Sequence, residues 1–166
     1  MDLLSRIKSH IALAMVESIF RRAGFALTPV SQREVPPHLG RDDLPDFSAL
    51  RLQAESGPSE ERTWLVEVRY RPDLAHYLAI ETQRGPKSVF VQAKRYWPGL
   101  IFVFFTDYPA PGRSYFQLLD LESWSFGRPL AAVNLFDHTG LHIYRQNVEE
   151  HEVLARRMLT LFWGVP

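Results

Sequence analysis

Five side chains in this sequence have types and spacings that could do chemistry together: Asp46, Glu67, Arg69, Gln92 and Tyr96. Glu67 stands inside the apolar run Thr-Trp-Leu-Val-Glu-Val-Arg-Tyr, where a carboxylate is costly if it is buried and unpaired. In an extended strand residues 67 and 69 share one face, so Glu67 and Arg69 present together while Val68 turns the other way. That pattern fits a built site, and it equally fits Glu67 balanced by Arg69 or Arg71 on an exposed strand face. Asp46 follows Pro45, a dipeptide that is also ordinary turn chemistry. Gln92 and Tyr96 are four residues apart and share a face of any helix that carries them, whether that face meets a ligand or only solvent.

The elements that must position these residues follow from periodicity. Residues 3–23 read as a helix, with Leu4, Ile7, Ile11, Met15 and Ile19 on its apolar side and Gly24 at the C-cap position. A short strand is expected over 25–30, then a loop over 31–45 with three prolines and Gly40. Strands over 46–54 and 63–70, joined by a polar, turn-rich link at 55–62, make an antiparallel hairpin. Residues 72–83 fit a helix or an extended segment equally. A helix over 87–97 lies between Pro86 and Pro98, and the run 100–106 is apolar throughout, as expected of a strand buried on both faces. A strand over 114–121, an irregular region over 122–147 and a helix over 148–163 complete the chain. The last helix is expected to turn Val153, Leu154, Met158, Leu161 and Phe162 to the core. The strand, helix, strand step from Val68 to Phe105 needs a crossover, so the sheet should be mixed, with helices on its faces.

Composition narrows the function classes. The 166 residues suit a single domain over 1–166, and 46% hydrophobic content is enough for a real core. The absence of Cys excludes thiolate zinc sites, disulfides and a cysteine nucleophile, and fits a cytoplasmic setting. No apolar run approaches the length of a membrane span, and the charged start at Asp2, Arg6 and Lys8 reads as part of the fold rather than as a leader. Lys plus Arg equal Asp plus Glu at 19 each, which argues against a polyanion binder held by bulk charge. The distribution is uneven: residues 42–83 hold nine acids against four bases, whereas 84–98 hold Arg84, Lys87, Lys94 and Arg95 and no acid. His138 and His142 have the spacing of a helical metal pair, but Thr139-Gly140 breaks the helix such a pair needs. Phosphate-cradling glycine loops, dinucleotide fingerprints and Gly-x-Ser-x-Gly elbows are absent from the sequence.

The order Pro45-Asp46, then Glu67-Val68-Arg69, then Gln92-Ala-Lys-Arg-Tyr96 on the following helix resembles the PD-(D/E)xK nuclease superfamily. The Gln-x-x-x-Tyr spacing resembles its RecB-like branch. The resemblance spans roughly residues 3–106. It implies a restriction-endonuclease-like three-layer α/β fold, with a central mixed sheet of about four to six strands flanked by helices. It further implies a Mg²⁺- or Mn²⁺-dependent nuclease acting on DNA, with Asp46 and Glu67 as metal ligands and Gln92 with Tyr96 lining the active site. Arg69 stands where the family has lysine. A guanidinium keeps its proton, so Arg69 could brace a phosphate but not act as a base. Lys94 is a candidate for a lysine relocated to the helix, and Glu17 for a further acidic member, although Glu17 also suits a surface pair with Arg21. The alternative is a catalytically inactive member of the same fold that binds nucleic acid or a protein. A homodimer is compatible with either reading.

Overall fold

Residues 3–30, 45–51 and 62–163 are described by the computed structural model. The first helix, α1, spans Leu3–Arg22 and ends at Gly24, whose φ of 87° is the left-handed C-cap geometry expected there. Strand β1 (Phe25–Pro29) follows, then β2 (Phe47–Arg51) and β3 (Thr63–Tyr70). Helix α2 (Leu74–Gln83) resolves the ambiguous segment, its N-terminus capped by the Asp73 carboxylate, which accepts from His76 N–H at 3.0 Å. A 3₁₀ turn at Gly85–Lys87 leads into α3 (Val89–Tyr96), β4 (Leu100–Phe105) and β5 (Phe116–Asp120). Within the stretch read as irregular the chain adds a two-residue strand, β6 (Val133–Asn134), before α4 (Arg145–Trp163). The predicted loop at 31–44, the distal strand residues 52–54 and most of the polar link at 55–62 lie outside the described residues.

The six strands lie in sequence order β1-β2-β3-β4-β5-β6, antiparallel throughout except for the parallel pair β3 and β4, which the helical crossover α2–α3 connects. Strand β4 is buried at all six positions. Ile101, Val103 and Phe105 face one cluster, built with Ala12, Val16 and Phe20 of α1 and Val148, Ala155 and Leu159 of α4. Leu100, Phe102 and Phe104 face the other, with Leu74 and Leu78 of α2 and Phe90 of α3. The molecule is thus α/β, a mixed sheet with helices on both faces, as the periodicity requires.

Two helix faces differ from the sequence expectation. On α1 the inward stripe is Lys8, Ala12, Met15, Val16, Ile19 and Phe20, whereas Ile7 is 39% exposed. The Lys8 ammonium is buried, bridging Asp107 Oδ2 at 2.7 Å and Tyr70 Oη at 3.0 Å, and the Tyr70 hydroxyl donates to the same carboxylate oxygen at 2.6 Å. Met15 and Ile19 of the expected stripe are buried and Ile11 packs against the core, so the inward face is shifted rather than replaced. On α4 the core side carries Val148, His151, Ala155 and Leu159. Val153, Leu154, Leu161 and Phe162, expected inside, are 40% exposed or more.

The buried Lys8–Asp107 pair ties the start of α1 to the ends of β3 and β4, and removing one partner strips a direct ion pair from the buried charge that remains. Lys8→Ala is expected to lower unfolding free energy by about 3 kcal/mol or more in urea titration. Tyr70→Phe, which removes one hydroxyl, is expected to cost about 1 kcal/mol. A second prediction concerns pH. Burial, helped by the positive charge of Arg22, pushes the His151 imidazole below its ordinary pKa. The unfolded chain therefore binds this proton more readily than the folded one. Stability should fall as pH drops below about 6.5, and His151→Leu should flatten that slope in melting curves between pH 7 and pH 5.

Candidate functional site

Strand β3 turns Trp64, Val66 and Tyr70 into the α1/α4 cluster, which leaves Leu65, Glu67 and Arg69 on the side of α2 and α3. Glu67 is only 6% exposed, so its charge needs a partner. Arg69 provides one: its Nε donates to Glu67 Oε1 at 2.5 Å, and Nη2 reaches the same oxygen. The rest of the guanidinium is also held, Nη1 donating to the Tyr77 hydroxyl at 3.3 Å and the plane lying 4.9 Å from the Phe102 ring centroid. Arg71 covers the Tyr77 ring at 4.4 Å. Burial acts to lower the pKa of Arg69, but the charges and hydrogen bonds of Glu67 and Tyr77 outweigh it and hold the guanidinium above its ordinary value. The expected shared face of Glu67 and Arg69 is present, and the two are joined as an ion pair. Tyr77, the third member, carries no signal in the sequence, because nothing there says that α2 folds back over this end of β3.

Asp46 occupies a bend just before β2. Its N–H donates to Val66 C=O on one side at 2.8 Å, while its C=O accepts from Val30 N–H on the other at 3.2 Å. A residue in a regular strand directs both groups to the same neighbour, so the chain is kinked here. The kink places the carboxylate on Val68 N–H, with Oδ2 accepting at 2.6 Å where a further strand residue would otherwise supply a carbonyl. Burial raises the pKa of Asp46 above the ordinary carboxylate range, against the pull of the Val68 hydrogen bond and of Arg69. The negative charge of Glu17 adds to the rise. Glu17 therefore bears on this edge from α1 and also makes the expected i, i+4 pair with Arg21 at 3.1 Å.

Helix α3 turns Phe90 inward, against Tyr77, Phe102 and Phe104. At 100° per residue Gln92 and Tyr96 project from the opposite side, and both are exposed. Gln92 Nε2 donates to Pro86 C=O at 3.2 Å, turning back along its own helix rather than toward β3. Lys94 points inward but is bound elsewhere, its ammonium donating to the carbonyls of Leu121, at 2.6 Å, and Trp124. The structure thus joins Glu67, Arg69 and Tyr77, sets Asp46 beside Val68, and leaves Gln92 and Tyr96 on a separate face.

A hard divalent ion would need the two carboxylates turned to one point, with room for its waters. As arranged they do not fit one. Glu67 is engaged by a guanidinium, Asp46 by a backbone N–H, and the described residues contain no group of three or more Asp, Glu or His side chains able to hold a metal. His138 is likewise occupied, its Nε2 on Asp120 at 3.3 Å and its Nδ1 accepting from Leu141 N–H. A cavity of about 90 Å³ lies apart from Asp46 and Glu67, between α2, α3 and the segment around Trp124 and Phe126. Its buried carboxylate, Glu81, is fully used on Arg84, Ser88 and Val89 N–H.

Because folding raises the pKa of Asp46, the folded chain binds that proton more tightly than the unfolded one, and the ionised carboxylate costs stability once pH rises through the folded pKa. Asp46→Asn keeps an acceptor for Val68 N–H and removes the charge. Its melting temperature at pH 7 is expected to equal or exceed that of the parent, with any gain vanishing below about pH 4. No protein family, curated protein or solved structure matches the chain.

Proposed function

We propose that this chain is a restriction-endonuclease-like domain that does not hydrolyse phosphodiesters and serves instead as a nucleic-acid-binding module. One observation carries the reading: the Arg69 guanidinium sits on Glu67, supplying from within the chain the positive charge that the resembling nucleases take from a metal ion. Arg69 keeps its proton at any accessible pH, so it neither leaves Glu67 neutral-faced nor accepts a proton from water. The strand order, the β2–β3 hairpin and the helical crossover to β4 support the fold assignment.

The binding face is the outer side of α3. Gln92, Arg95 and Tyr96 are exposed there, and Lys87 is exposed in the 3₁₀ turn just before it, in a stretch without acidic residues. Lysine and arginine can neutralise backbone phosphates, and an exposed tyrosine offers a ring on which a base can stack. With zero net charge on the whole chain, binding must come from this local patch and must weaken steeply with salt.

Two measurements test the proposal. Incubation with single- and double-stranded DNA in millimolar Mg²⁺ or Mn²⁺ is expected to leave the substrate intact; cleavage that disappears in Glu67→Gln would return the chain to the nucleases. In fluorescence anisotropy with labelled oligonucleotides, Lys87→Glu with Arg95→Glu should weaken binding about tenfold or more and reduce the salt slope by about two. Absence of binding by the parent protein, or binding indifferent to the double variant, would remove the nucleic-acid assignment.

A further inference from the structure

The cavity of about 90 Å³ between α2, α3 and the segment around Trp124 has fixed walls. Lys94 donates to the carbonyls of Leu121 and Trp124, Trp124 Nε1 donates to Arg128 C=O at 3.0 Å, and Leu130 N–H donates to Thr82 Oγ1 at 3.0 Å. These bonds clasp residues 121–130 against the two helices. The polar side-chain atoms of the lining, Arg128 apart, are engaged in the same way. Thr82 Oγ1 donates to Leu78 C=O, Ser88 Oγ donates to Glu81 and accepts from Phe90 N–H, and the Glu81 charge is balanced by Arg84 at 2.9 Å. What the cavity offers an occupant is therefore apolar surface, with the aromatic rings of Trp124 and of Phe126, which is 62% exposed.

Two properties identify the occupant. The cavity is far below the volume of about 300 Å³ or more that encloses a whole small ligand, so it takes one ring of a larger molecule that stays outside. Its surroundings are also cationic. Lys87 stands between the lining residues Gly85 and Ser88, Arg95 lies one turn beyond Val91, and Arg128 is itself part of the wall; all three are exposed. Neither 84–98 nor 123–132 contains an acidic residue. At 100° per residue Ser88, Val91, Gln92 and Arg95 fall within an arc of about 100°, so the cavity is continuous with the proposed phosphate-binding side of α3. We infer that the cavity takes one unpaired base of a single nucleic-acid strand whose phosphates run along α3. The inference rests on the nucleic-acid-binding reading and narrows it to single strands. A base brings a flat ring to Trp124 and Phe126, and stacking on aromatic side chains tolerates any base. A base within a duplex is already stacked and paired, and must first be turned out at an energetic cost. A neutral protein segment would leave Lys87, Arg95 and Arg128 unmatched, whereas a strand carries a phosphate at every step.

Fluorescence anisotropy of the full chain tests the inference with three labelled probes of equal length: an oligothymidine strand, its duplex, and a strand of abasic sites with the same phosphates. Circular dichroism shows that each variant is folded. The parent protein is expected to bind oligothymidine about fivefold or more tighter than the abasic strand. Phe126→Ala should lose that advantage while duplex affinity and the salt slope stay unchanged, and Phe126→Tyr, which keeps a ring, should retain it. Equal affinity for the two strands, or an advantage indifferent to Phe126→Ala, overturns the inference; binding that Lys87→Glu with Arg95→Glu still weakens would then leave the nucleic-acid reading standing. A parent protein that binds none of the probes overturns both. If a neutral phenylalanine-bearing peptide binds instead, and Phe126→Ala weakens the peptide but not the strand, the cavity belongs to a protein partner and the inference falls.

Discussion

Strand β4 is buried on both faces, and most of the architecture answers that one constraint. Six consecutive apolar residues cannot leave either face to water, so α1 and α4 must cover Ile101, Val103 and Phe105 while α2 and α3 cover Leu100, Phe102 and Phe104. The parallel pairing of β4 with β3 then requires a long crossover, and the two helices that provide it are the same two that seal the second face. The polar residues take their positions from this frame rather than shaping it.

Among the described residues two buried ion pairs stand at the same end of the frame. Near the C-terminal ends of β3 and β4, Lys8, Tyr70 and Asp107 make one buried triangle on the α1 side, and on the opposite face Glu67, Arg69 and Tyr77 make another. Each combines a cation, a carboxylate and a phenol. In a low-dielectric interior an ion pair is tolerable when its remaining hydrogen-bonding capacity is also met, and the tyrosine hydroxyls help to meet it. The arrangement shows how Glu67 can stand in an apolar strand: Arg69, two residues along the same strand, offsets its charge.

The outer side of α4 illustrates the converse. A helix that presents apolar residues around most of its circumference can bury only one side, and here that side carries Val148, Ala155 and Leu159. Val153, Leu154 and Leu161 were left outward.

The sequence by itself determined most of the elements, the hairpin, the crossover and the shared face of Glu67 and Arg69, because these follow from local periodicity: two residues in strands, three to four in helices. It also marked Arg69 as incompatible with a lysine's role, since that depends only on the chemistry of a guanidinium. Only the tertiary structure decided which side of α4 is inside, that Lys8 is buried, that Asp46 lies on Val68 N–H and feels Glu17, and that Tyr77 completes the Arg69 site. Gln92 and Tyr96 share a helical face, as their spacing requires, but Phe90 fixed which way that face turns. Those outcomes depend on how elements distant in sequence dock. A periodic pattern limits which faces can be buried, while the choice among them is made by the shape and charge of what they meet.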